Sequence, residues 1–143
     1  METTSKEKIT IKATVNAPVS RVWEYWNNPS HITQWNYASD DWHSPRAEND
    51  LRAGGKFSAR MEAKDGSFGF DFEGRYDDVK TNEYIAYTMS DDRKVEIHFK
   101  AVDNQTEITE TFEAESENPV DMQREGWQAI LDNFKKYAES LNA

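Results

Sequence analysis

The chain has 143 residues, of which 36% are hydrophobic and 31% charged, and five Trp, six Tyr and seven Phe supply much of its apolar area. That length suits one core-bearing domain, and the aromatic content argues against disorder. Acidic residues outnumber basic ones 27 to 17, for a net charge of −10, the wrong sign for a phosphate backbone or an anionic membrane, so neither nucleic acid nor membrane is an expected partner.

The absence of cysteine removes disulfides, thiolate nucleophiles and Cys-ligated zinc. The first residues are polar without an apolar leader, and no run of about 18 apolar residues occurs, so the expected location is the cytoplasm. No repeat or linker divides the sequence: residues 1–7 are expected to be a flexible N-terminus and residues 8–143 one domain.

Between Lys8 and Asn16, Ile9, Ile11, Ala13 and Val15 alternate with polar residues, the pattern of a half-buried strand. The period then changes. Val19, Val22, Trp23 and Trp26 follow Pro18 at helical spacing, and Asn28-Pro29 starts a second short helix carrying Ile32 and Trp35. Residues 36–50 keep neither period and read as loop with at most one short strand.

After Gly54-Gly55, a turn, a strand is expected over Lys56 to Ala63. Asp65-Gly66 signals a two-residue hairpin in which both residues take positive φ. The next strand, Phe68 to Val79, sets Phe68, Phe70, Phe72, Gly74 and Tyr76 on one face. Strands at Glu83 to Met89, Lys94 to Val102 and Gln105 to Ala114 follow, punctuated by Thr81-Asn82, Asp91-Asp92 and Asp103-Asn104. Beyond Pro119, Trp127, Ile130, Leu131, Phe134, Tyr137, Ala138 and Leu141 recur at three and four, a long amphipathic helix. The predicted class is α+β: an antiparallel sheet of six to seven strands with one long helix across its aromatic face.

This order, together with Ala17-Pro18, Val22-Trp23, His31 to Trp35, Leu51 to Phe57 and above all Gly126 to Phe134, resembles the helix-grip superfamily (Bet v 1-like, START-like, or SRPBCC). More narrowly it is similar to single-domain bacterial members of the family related to the C-terminal domain of the Hsp90 ATPase activator. The resemblance implies a curved sheet wrapped around the C-terminal helix, often with a cavity between them. It also raises association with a chaperone, although a counterpart of the activator's separate N-terminal domain is not expected in a chain of this length.

Strand parity nominates Phe57, Met61, Phe70, Phe72 and Tyr76 for that cavity, then Ile97, Phe99 and Phe112, with Trp127, Leu131 and Phe134 from the helix. Most are expected to pack as plain core. Trp35 and Trp42 bound a loop rich in aromatics and acids that serves either as a cavity rim or as a lid over the core. Tyr84 and Tyr87 lie on opposite faces of one strand, and parity does not choose between them.

Glu110 falls between Ile108 and Phe112 on the apolar face, where an unpaired carboxylate is costly. It is either an anchor or general base at the cavity wall, or a group held by a structural hydrogen bond or turned outward by a bulge. Among the histidines, His98 shares a polar face with Lys94, Glu96 and Lys100. No two histidines stand at metal-binding spacing, so neither a metal nor another cofactor is expected.

Three functions are consistent with this pattern. The first is a soluble binding protein holding a small, mainly apolar molecule. The second is a cyclase- or hydrolase-like enzyme using Glu110, Tyr87 and His31 as acid–base groups. The third is a chaperone-associated interaction protein presenting the acidic run Glu113, Glu115 and Glu117. The balance leans away from catalysis.

Overall fold

The computed structural model describes residues 7–37 and 39–142; the first six residues of the expected flexible terminus, and Ala38, lie outside this set. Strand β1 (Lys8–Val15) is followed by helices α1 (Val19–Asn27) and α2 (Pro29–Trp35). Two very short strands come next, β2 (Trp42–His43) and β3 (Ala47–Asn49). Strands β4 (Lys56–Ala63), β5 (Gly69–Lys80), β6 (Tyr84–Met89), β7 (Lys94–Val102) and β8 (Gln105–Glu113) form the meander, and α3 (Val120–Asn142) closes the chain.

All strands pair antiparallel in one curved sheet of order β1-β8-β7-β6-β5-β4-β2, with β3 also on β4. The sheet has eight strands, more than the six to seven expected. The surplus comes from residues 36–50, where two- and three-residue strands dock side by side along β4. Segments that short show no alternation to detect.

Local chemistry accounts for the helix starts and turns. Pro18 sits outside α1 as its extended N-cap residue, with φ −63° and ψ 150°. The Asn28 side chain accepts a hydrogen bond from the Ser30 N–H at 3.0 Å, capping α2 with Pro29 at the first helical position. Asn82, Asp92 and Asp103 take positive φ at the three predicted turns. The β4–β5 connection differs from the expected two-residue form. Gly66 alone has positive φ there, and its N–H reaches the Ala63 carbonyl at 2.9 Å while the Ala63 N–H reaches Phe68, closing a longer loop.

Helix α3 lies across the inner face of the sheet, burying Leu131, Phe134 and Ala138, while the sheet contributes Ile9, Ile11, Val95, Ile97, Ile108 and Phe112. This is the helix-grip arrangement. A bulge between Tyr76 and Asp78 resets the parity of β5, so that Tyr76 and Val79, three residues apart, both pack on the core. At the other end of β5 the aromatic face runs past the helix: Phe68 and Phe70 are 61% and 40% exposed.

Gly126 lies inside α3, and a Cβ built there meets nothing within 4 Å. Glycine in a helix interior is destabilising through backbone entropy. Gly126→Ala is therefore expected to raise the unfolding free energy by about 0.5–1 kcal/mol in a denaturant titration.

Candidate functional site

Between the sheet and the helices lies a cavity of about 430 Å³, open to solvent. Its floor is the inner face of β4 to β8, its roof is Trp127, Ile130 and Leu131 of α3, and one end is closed by Trp26, Ile32 and Trp35. The walls owe their shape to small residues on the strands. Gly74 lies opposite Phe57 in the β4–β5 register, and a Cβ at Gly74 would come within 2.8 Å of that ring. Phe57 thus fills the space above a bare backbone and contacts Phe72, Tyr76 and Tyr87 at centroid distances of 5.7, 5.2 and 4.7 Å.

Most residues nominated from parity border this space: Trp35, Phe57, Met61, Phe70, Phe72 and Tyr76 do, and so do Tyr87, Ile97, Glu110, Trp127 and Leu131. Four others do not. Phe112 is fully buried beneath Trp127, stacked at 3.9 Å and 8°. Phe134 is covered by Trp26 and Trp35, and Phe99 packs edge-on against Trp23 and Trp26, so these two fill the core between the helices and the sheet. Trp42 is on the edge strand β2 against Phe68 and Phe70, behind the lining residue Phe70 and not itself bordering the cavity.

The aromatic loop therefore divides, with Trp35 buried and its indole N–H donated to the Tyr25 carbonyl at 2.9 Å, and Trp42 at the sheet edge. Sequence reasoning missed Trp26, Ile85, Met89 and Ile130 as lining residues. Trp26 and Ile130 show helical spacing, but nothing in a helical stripe separates a cavity wall from core.

Glu110 and Tyr87 reach the cavity with no side-chain hydrogen bond to any described residue. Strand β8 pairs regularly with β1 and β7 across Glu110, with no bulge, so parity holds and the carboxyl points inward between Ile11 and Ile97. Glu110 is 6% exposed, lines the cavity, and receives no hydrogen bond from any described residue. Burial alone pushes its pKa from an ordinary 4.5 to about 8, so it is predominantly neutral at pH 7.

Tyr87 is the other group. Its hydroxyl is held far from ionisation, first by burial and then by proximity to Glu110, whose charge would oppose a phenolate. Tyr84 occupies the outer face beside His98, at 4.8 Å between centroids. The third tyrosine of the region, Tyr76, is already engaged: its hydroxyl donates to Asn49 Oδ1 at 2.6 Å, and the Asn49 amide donates to the Asn27 carbonyl at 2.7 Å, bracing the sheet wall against α1.

His31, nominated with Glu110 and Tyr87 for acid–base work, is not brought to them. Its Nδ1 is 2.6 Å from the Tyr137 hydroxyl, between α2 and α3 and outside the cavity lining. His43 faces Glu62 at 3.5 Å and His98 faces Glu96 at 3.8 Å. Among the described residues no group of three or more His, Asp or Glu is placed to hold a metal ion.

The family model described as "Activator of Hsp90 ATPase homolog 1-like protein" matches residues 16–139. Among solved structures, the chain resembles an AHSA1-like protein from Aeromonas hydrophila, with 42% identity over 95% of this chain and 94% of that one and a TM-score of 0.90. A protein from Cytophaga hutchinsonii is 52% identical over 94% of both chains, with a TM-score of 0.81. A Chromobacterium violaceum protein, 22% identical with a TM-score of 0.83 over 93% of this chain and 98% of that one, shares the fold. No curated protein matches the sequence. The chain belongs to the family of activator of Hsp90 ATPase homolog 1-like proteins.

Proposed function

We propose that the protein is a cytoplasmic binding module that holds a small, mainly apolar molecule between the sheet and α3. The observation that carries this reading is the open cavity of about 430 Å³, whose exposed wall is chiefly apolar, with aromatic and aliphatic side chains from the sheet and the helices. That size and composition are those of small-molecule sites, and buried aromatic area supplies affinity without demanding a particular ligand shape. The separation of His31 from Glu110 and Tyr87 supports binding over acid–base turnover.

The family description raises a second reading, association with an Hsp90-type chaperone. The acidic run offers it little. Glu113 accepts the Lys94 backbone N–H at 2.7 Å and Glu115 accepts the Asn118 N–H at 2.7 Å, so two of its three carboxylates are engaged within the fold.

Calorimetric titration with a neutral two-ring probe, 2-(1-naphthyl)ethanol, tests the binding reading. The wild type is expected to give saturable heat with a negative heat-capacity change, the signature of apolar burial. Ile130→Trp, which fills the roof of the cavity, is expected to lose at least tenfold in affinity. No saturable heat, or equal binding by the filled variant, would overturn the reading.

A further inference from the structure

The cavity has a charge pattern as well as an apolar lining. We propose, building on the binding reading above, that the molecule it takes is an apolar organic cation, an aromatic or alicyclic compound with one basic nitrogen, whose ammonium group pairs with Glu110. Three independent observations carry this.

The first is Glu110 itself. It is 94% buried, by its 6% exposure, and aimed into the cavity, and no donor on the protein satisfies it. A buried carboxyl in that state is a vacancy for a donor, and an ammonium group supplies both the hydrogen bond and the opposite charge.

The second is the wall around it. Trp26, Trp35, Phe72, Tyr87 and Trp127 present ring systems to the same space, and ring faces attract cations, most strongly those of tryptophan and most of all where water is excluded.

The third is the charge of the chain. The one basic residue bordering the cavity, Arg93, is occupied, with its Nε 2.7 Å from Asp91 and an Nη donating to the Glu113 carbonyl at 3.4 Å. Asp71 and Glu73 alternate with the inward Phe70 and Phe72 and, like Glu48, share the outer-face register with Arg60 and Ser58, so the carboxylate inside the cavity is that of Glu110. On a protein of net charge −10 the long-range field favours cations over fatty acids and other anions.

The proposal fixes the sign of a pH dependence. The titratable groups facing Glu110 inside the cavity are Tyr87 of β6 and Tyr76 of β5, both held neutral by burial, and the cavity-lining residues of α1, α2, β4 and α3 carry none. Glu110 is therefore the inner group that titrates near neutrality, at about 8. Binding an ammonium ion requires its carboxylate form, so one proton leaves Glu110 for solution on binding. Affinity then rises about tenfold per pH unit up to pH 8 and levels off until the amine itself deprotonates near pH 10. A neutral hydrogen-bond acceptor would show the reverse, since it needs the protonated acid and weakens above pH 8.

The experiment pairs 2-(1-naphthyl)ethylamine with its neutral analogue 2-(1-naphthyl)ethanol, titrated calorimetrically into the wild type and Glu110→Gln between pH 6 and 9 in buffers of different ionisation enthalpy. The expected result is that the amine binds at least tenfold more tightly than the alcohol at pH 8.5, releases close to one proton at pH 6.5, and loses both properties in Glu110→Gln. An amine that binds no better than the alcohol, or without proton release from the wild type, would overturn the cation assignment while leaving the apolar cavity standing. Binding of neither probe would overturn the cavity reading, and this assignment with it.

Discussion

Glu110→Gln is expected to flatten the pH dependence of stability between pH 5 and 8. In the folded protein the Glu110 carboxyl has its pKa raised from an ordinary 4.5 to about 8 by burial. Between those two values the folded state holds a proton that the unfolded state has lost, so stability falls as pH rises across the window. The contribution is fully present below pH 4.5 and gone above pH 8. Its full span is about 5 kcal/mol at about 1.4 kcal/mol per pH unit, an order-of-magnitude figure.

Glutamine keeps the shape and removes the ionisation. The variant should therefore be the more stable protein at pH 8.5, by several kcal/mol, and nearly level with the wild type at pH 5. The carboxyls of Glu62, Asp65, Asp91 and Glu139 are held below their usual range by hydrogen bonds and basic neighbours, so their contributions change only under more acidic conditions. Urea denaturation of both proteins at pH 5, 6.5 and 8.5 checks this, and parallel pH curves would show that Glu110 is solvated.

Phe112→Ala is expected to be the most damaging truncation beside the cavity, costing about 3–5 kcal/mol. Phe112 is fully buried, lies in register with Ile9 and Val95, and carries the Trp127 ring stacked on it at 3.9 Å. Its removal takes away a large buried side chain and also the support of the roof residue, which cannot settle without tilting α3. Denaturation at pH 5 separates this packing effect from the ionisation of Glu110, and Phe112→Leu should recover more than half of the loss. A cost below about 1 kcal/mol for Phe112→Ala would mean that the stack carries no stability.

The sequence made legible what rests on sustained periodicity. Eight alternating residues of β1, the long β5 and the 23-residue α3 each repeat a pattern often enough to reveal their buried face. Parity also placed Glu110 on the cavity wall, because β8 runs without a bulge from end to end.

Where the period is interrupted or brief, the reading went astray. Strands β2 and β3 are too short to alternate, and they exist because β4 offers an edge. Phe70 shares the inward face of β5 with Phe72, and Phe68 just before the strand continues the alternation, yet how far α3 reaches along the sheet decides which of them is covered, and that is a tertiary quantity. The same holds for Phe112, inward by strand parity, and Phe134, inward by helical spacing, whose neighbours, Trp127 on one and Trp26 and Trp35 on the other, occupy the space that a ligand would need. Pattern identifies a face; which residues of that face meet a cavity depends on the neighbours that cover the rest.

An apolar molecule held between sheet and helix is reported most directly by the five tryptophans. Trp26, Trp35 and Trp127 line the cavity, whereas Trp23 packs in the core against Phe99 and Trp42 lies at the sheet edge. In a heteronuclear NMR titration with 2-(1-naphthyl)ethanol, the indole N–H signals of the first three are predicted to shift together and saturably, while those of Trp23 and Trp42 stay in place. Movement confined to Trp42, or no movement at the solubility limit of the probe, would contradict the account.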